Sequence, residues 1–196
     1  MTTPTPPAKV GSGPVGRGEV VAAALAAAAE LFAERGVAAT SIRDIAARSN
    51  VNHGLIYRHF GTKEQLVGAV LEHLGGRLTA LLDGDGPVDE IDQNMDRHTR
   101  VMARALLDGY PIGQLQTRFP GVTRLLDEVL PQFGDEREGR LAVANAVALQ
   151  LGWQLFQSFL TSATGLDPIG DDEVRAAVGT EIARILRPGA AADRPD

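Results

Sequence analysis

Residues 40–66 read Thr-Ser-Ile-Arg-Asp-Ile-Ala-Ala-Arg-Ser-Asn-Val-Asn-His-Gly-Leu-Ile-Tyr-Arg-His-Phe-Gly-Thr-Lys-Glu-Gln-Leu. Two short helices and the start of a third are written into this stretch. Ser41 is a helix N-cap with Asp44 three residues on, so serine and carboxylate can satisfy each other's backbone donors. Ile42, Ile45 and Ala46 give that helix an inner face, and it ends near Ser49. Asn50 marks the turn, because asparagine tolerates left-handed backbone. Asn52 caps a second helix over about 53–59 by the same capping preference, with Ile56 and Phe60 inward. Thr62 with Gln65 forms another capping box and opens a third helix.

The stretch is also where cationic charge collects. From Arg35 to Lys63 there are five Lys/Arg against one acid, Asp44, with His53 and His59 besides. The whole chain of 196 residues carries −6. Residues 1–63 sum to +3 and residues 64–196 to −9. A basic patch on an acidic protein is the electrostatic footprint of a nucleic-acid contact.

Outward from this centre the pattern is helical throughout. Residues 17–35 place Val20, Val21, Ala24, Leu25, Ala28, Leu31 and Phe32 on one apolar face, with Gly36 as a left-handed C-cap. After Lys63, the residues Leu66, Val67, Val70, Leu71, Leu74, Leu78 and Leu81 line a long helix ending near Asp83. Further helices are expected near 88–108, 111–118, 121–132, 136–163 and 171–187, punctuated by Pro111, Pro120, Pro131 and Pro168. No segment alternates with period two. The expected architecture is all-α: a disordered tail at 1–14, a three-helix helix-turn-helix DNA-binding domain at 15–62, a helical ligand-binding and dimerisation domain at 63–187, and a second tail at 188–196.

Several functions are disfavoured. There are no cysteines, so disulfides and thiolate chemistry are excluded. No nucleophile–base motif and no metal-ligand spacing is present, so neither an enzyme nor a cofactor is expected. Asp83-Gly84-Asp85-Gly86 lacks the ligand series of a calcium loop and reads as a turn. Gly11-Ser12-Gly13-Pro14-Val15-Gly16 fits G-x-G-x-x-G, but Pro-rich coil precedes it where a dinucleotide site needs a strand. Leu141 to Leu166 has no charged residue. Asn145, Gln150, Gln154 and Gln157 interrupt it, so a protein-buried helix is expected over a membrane span, which wants about 20 mostly apolar residues. No signal peptide is visible, and a cytoplasmic protein is the default.

In a helix-turn-helix the second helix enters the major groove. Gly54 lets backbone approach the duplex, His53 can donate to or accept from a base edge, and Leu55 suits a thymine methyl. Thr40, Ser41, Tyr57, His59 and Lys63 suit phosphate oxygens. Asn52 and Arg58 share the outward face. Arg43 reads equally as a DNA contact or as half of an intrahelical pair. Tyr57 reads as a phosphate contact over pure packing, since its ring can pack while its hydroxyl is presented. Arg35 and Arg48 read as solvated.

Ala-Glu-Leu-Phe-Ala-Glu-Arg-Gly (29–36), Thr-Ser-Ile-Arg-Asp-Ile-Ala (40–46), Val-x-x-Gly-x-Ile-Tyr-x-His-Phe (51–60) and Lys63-Glu64-x-Leu66 together resemble the N-terminal domain of TetR-type transcriptional regulators. The resemblance implies an all-helical homodimer with a DNA-binding head, a ligand-binding body, and a dimer built by the last two long helices. It implies base contact for Arg43, His53, Gly54 and Leu55, and phosphate contact for Thr40, Tyr57, His59 and Lys63. Asn50, Asn52, His53 and Arg58 depart from the residues common at those positions, which bears on the operator sequence and not on the fold. The implied partners are double-stranded DNA with a palindromic operator, a second copy of the chain, and an unidentified small-molecule effector.

For the effector, apolar groups mixed with a few polar ones nominate Met95, His98, Met102, Phe119, Gln150, Trp153, Phe156 and Gln157. Each has a plainer reading: core filler for the methionines, an exposed or hydrogen-bonded ring for His98, a solvated or interfacial row for the glutamines, dimer core for Trp153 and Phe156. The alternative function is a small-molecule-binding or protein-interaction module whose helix-turn-helix is not used on DNA.

Overall fold

The computed structural model describes residues 16–166 and 169–189. The tail expected at 1–14, most of the G-x-G-x-x-G run, Pro168 and the residues after 189 lie outside the described set. All regular structure among the described residues is helical.

The head comprises α1 (Arg17–Arg35), α2 (Ile42–Ser49) and α3 (His53–Phe60). The caps fall where the sequence puts them. Ser41 Oγ accepts the Asp44 N–H at 3.1 Å, and Asp44 Oδ2 accepts the Ser41 N–H at 2.8 Å and its hydroxyl at 2.7 Å. Asn50 is left-handed at φ 52°, ψ 36°. Gly36 takes φ 90° but ψ 165°, so the chain leaves α1 in a glycine-only conformation that is not the expected left-handed helical cap.

The body comprises α4 (Lys63–Asp83), α5 (Val88–Leu107), α6 (Ile112–Leu115), α7 (Pro120–Val129) with a 3-10 turn over Leu130–Gln132, α8 (Glu136–Thr164) and α9 (Asp171–Ile185). Two elements differ from expectation for local reasons. α6 stops at Leu115 because the Thr117 and Arg118 N–H groups turn to Glu72 Oε1, at 2.6 and 3.2 Å. The segment expected at 121–132 changes to 3-10 geometry at Pro131, which has no N–H to continue the helical ladder.

One core runs through the head and into the body. Leu31, Phe32, Val37, Ile45 and Ile56 share it with Leu66, Val67, Val70, Leu71, Val101, Ala105 and Ile112. The boundary expected at 62/63 therefore falls inside continuous packing, and α4 and α5 are seated on the head itself. Gly68 shows how close this packing is: a Cβ there would lie 2.2 Å from the Leu115 carbonyl oxygen.

The C-terminal end of α5 also fastens to the head by polar contacts. Asp108 Oδ2 accepts the Ala38 N–H at 2.7 Å, and Arg104 donates to the Glu34 carbonyl at 3.0 Å. α8 and α9 pack as a pair, and α8 also packs on α5 and α7. Leu141, Leu155, Phe156 and Phe159 of α8 are exposed, Phe159 at 66%.

Candidate nucleic-acid interface and body cavity

Ile56 is fully buried and fixes the rotation of α3 about its axis. That rotation turns His53, Gly54, Tyr57 and Arg58 to solvent, with Tyr57 65% exposed. Asn52 is exposed, and its side-chain oxygen accepts the Gly54 N–H at 2.8 Å, which fixes the first turn of α3. Leu55 and His59 sit at the flank, half-buried, with Leu55 packed against the head core. They line a cleft of about 500 Å³ with Arg17, Val20 and Arg58.

The cations of the head divide into two groups. Arg35 pairs with Asp44 at 3.1 Å, and Arg48 pairs with Glu30 and Glu34, each at 3.1 Å. Hydrogen bonds from Ser41, and then the Arg35 charge, hold Asp44 below the usual carboxylate range. Arg17, Arg43, Arg58 and Lys63 have no ion pair among the described residues. Arg43 thus lacks the intrahelical partner that was one of its two readings, while Arg35 and Arg48 are paired instead of merely solvated. Lys63 is half-buried. Desolvation lowers its pKa, against the pull of the Asp108, Glu64 and Asp44 carboxylates.

Thr40 is corrected by the structure. Its side chain is 1% exposed and its hydroxyl donates to the Gly36 carbonyl at 2.8 Å. It clamps the α1–α2 turn and is not presented to a phosphate. Ser41 is exposed, though its hydroxyl is committed to the capping box.

In the body, α5, α8 and α9 line a cavity of about 510 Å³ that is open to solvent on one side. Four of the eight nominated effector residues line it: Met95, Gln150, Trp153 and Gln157. The other four lie elsewhere. Met102 packs against the core shared with the head. His98 is half-buried beside Pro120, where α4 meets α7. A Cβ on Gly75 would stand 3.5 Å from its Cε1. Desolvation lowers the pKa of His98. Phe119 caps α7 and is 38% exposed. Phe156, a helical neighbour of Trp153, is 57% exposed and does not line the cavity. The cavity also holds Asp92, Asp96, Asp171 and Arg175. Arg175 pairs with Asp92 across α9 and α5, and Gln157 donates to Asp171 at 2.8 Å.

Residues 24–70 match the family described as bacterial regulatory proteins, tetR family. Over 175 residues the chain is 63% identical to the HTH-type transcriptional repressor Rv3405c of Mycobacterium tuberculosis, spanning 89% of this chain and 93% of that one. The chain belongs to the TetR family.

Other matches are shorter in sequence or broader in fold alone. KstR2 of Rhodococcus jostii is 46% identical over 66 residues, 34% of this chain and 31% of its own. A solved transcriptional regulator from Rhodococcus sp. Rha1 shares the fold at a TM-score of 0.59 and 21% identity, across 85% of this chain and 95% of its own.

Within this TetR-family chain, sequence reading missed two groups. Arg17 joins Arg58 and His59 only because α1 starts beside α3, and separation along the chain hides that. The four charged groups of the cavity come from α5 and α9, and no motif links them. No helix among the described residues is long and apolar enough to cross a membrane.

Proposed function

We propose that this chain is a sequence-specific DNA-binding transcriptional repressor that acts in the cytoplasm as a homodimer and leaves a roughly palindromic operator when a small molecule fills its body. One observation carries the reading. Arg43 on α2, Arg58 on the exposed face of α3 and Lys63 at the start of α4 have no ion-pair partner among the described residues, while the charge at Arg35 and Arg48 is consumed internally. In the family, such a face enters the major groove. The named function of the 63% identical relative supports repression.

His53, Gly54 and Arg43 are the proposed base contacts. Tyr57, Arg58, His59 and Lys63 are the proposed phosphate contacts, with Ser41 and Asn52 contributing through their capping positions. Leu55 keeps only its exposed edge for a base. The exposed row Leu141, Leu155, Phe156 and Phe159 on α8 is the proposed dimer seam, since a second copy buries what one copy leaves in water. Two heads held by that seam read half-sites about one helical turn apart, or a multiple of it.

The test is fluorescence anisotropy of the purified chain on a duplex from its own upstream region, with sedimentation to count subunits. Saturable, salt-sensitive binding of two subunits per site is expected. Indifference to every duplex at low salt overturns the proposal.

A further inference from the structure

We propose that the cavity between α5, α8 and α9 takes an organic cation with a flat or bulky apolar body. The walls specify this chemistry. Three carboxylates, Asp92, Asp96 and Asp171, face one guanidinium, Arg175. Arg100 holds Asp96 at 2.9 Å but is not among the lining residues, and counting it still leaves the site negative. An anion entering here meets net repulsion. A cation meets carboxylates already gathered and the indole of Trp153, a ring type whose face attracts positive charge through its quadrupole. Met95, Ile91, Val174 and Val178 supply apolar wall, and a volume near 510 Å³ is within the range of small-molecule sites.

The polar contacts give the cation a means of acting. Arg175 occupies Asp92 and ties α9 to α5. A bound cation competes with Arg175 for that carboxylate and loosens the tie. α5 carries Asp92 and Asp96 near one end, and at the other Arg104 and Asp108 grip the α1–α2 junction of the head. A ligand that prefers the untied arrangement therefore biases the position of the head. Leu141 and Phe159 of the exposed row lie across α8 from Gln150 and Gln157, while Phe156 neighbours Trp153.

The effect on DNA rests on the repressor reading above, but binding does not, so the two are measured separately. Trp153 is the only tryptophan, and it lines the cavity, so its emission reports occupancy. The probes are tetraphenylphosphonium and its isosteric anion tetraphenylborate, titrated into the full chain without DNA. Saturable quenching by the cation is expected, at least about tenfold tighter than by the anion. Asp92→Asn removes a coulombic partner and weakens the cation about tenfold, and Arg175→Gln tightens it by freeing Asp92. Asp96→Asn serves in place of the first variant if circular dichroism shows that variant unfolded. Equal affinity for the two ions, or cation binding indifferent to these substitutions, overturns the assignment. A subsequent anisotropy titration tests the link to DNA: cation binding with unchanged duplex affinity removes the proposed coupling while leaving both the site and the repressor reading intact.

Discussion

Ion pairing divides the basic residues of the head, and that division predicts different salt dependences. Neutralising one phosphate contact on duplex DNA lowers the slope of log affinity against log salt by about 0.9. A complex with two heads loses about 1.8 in slope when Arg58 is changed to glutamine. Between about 50 and 200 mM salt, a fourfold rise, this means the wild-type chain loses affinity about twelvefold more than the variant. Arg58 has no internal partner to release, so its substitution acts on DNA. Arg48 is held by both Glu30 and Glu34. Its substitution by glutamine leaves the slope within error of the wild type and instead lowers the thermal midpoint of the head. Anisotropy at five salt concentrations, on one duplex, distinguishes the two. If Arg48→Gln flattens the slope as much as Arg58→Gln, the internal pairs dissolve at the DNA surface and the division of the patch is wrong.

Thr40→Val keeps shape and removes the hydroxyl bonded to Gly36. It costs about 1 kcal/mol, a fall in thermal midpoint of about 2–4 °C, and leaves the salt slope unchanged. A flattened slope would restore Thr40 as a phosphate contact. Gly68→Ala places a methyl 2.2 Å from the Leu115 carbonyl. Displacing α6 costs about 1–3 kcal/mol, more than the gain of about 1 kcal/mol in helix propensity, so calorimetry should show net destabilisation. His98 is held neutral by burial, its folded pKa below the ordinary 6.5. Its contribution is complete above that value and is lost as pH falls toward the folded pKa, because the unfolded chain takes up the proton first. Denaturant midpoints of the wild type between pH 7 and 5 should decline, and those of His98→Gln should decline less; His73 shares the sign and contributes to the remaining slope.

The fold was legible because its punctuation is local. A capping box needs only Ser41 and Asp44, or Thr62 and Gln65, and those pairs set helix starts whatever the rest of the chain does. Asn50 in left-handed geometry is likewise a one-residue statement. Sequence reading failed where a helix end depends on a distant group. Glu72 captures Thr117 and Arg118 from 45 residues away, and it ends α6 early. Burial by itself raises the pKa of this carboxylate, yet the donors of Thr117 and Arg118 outweigh burial and hold it below its ordinary range. The side chain is 15% exposed and takes both loop N–H groups, so the link between α4 and the loop is specific though the sequence gives it no motif.

The recognition face and the cavity differ in legibility for the same reason. On α3, residues 53, 54, 57 and 58 share a face by helical arithmetic alone, so their grouping follows from spacing once Ile56 is taken as core. The cavity draws its lining from three helices. Gln150, Trp153 and Gln157 share a face of α8 and could be grouped from sequence, and they are found together. Phe156, three residues from Trp153, shares its apolar character and stays outside the lining, 57% exposed. The decisive carboxylates, Asp92 and Asp171, sit on helices whose order along the chain says nothing of which faces meet. What sets the chemistry of the cavity is thus the part that only packing discloses: α9 lays Arg175 against Asp92, and by spending one carboxylate on that tie it leaves an acidic site whose remaining charge a cation can satisfy only by competing with the protein's own arginine.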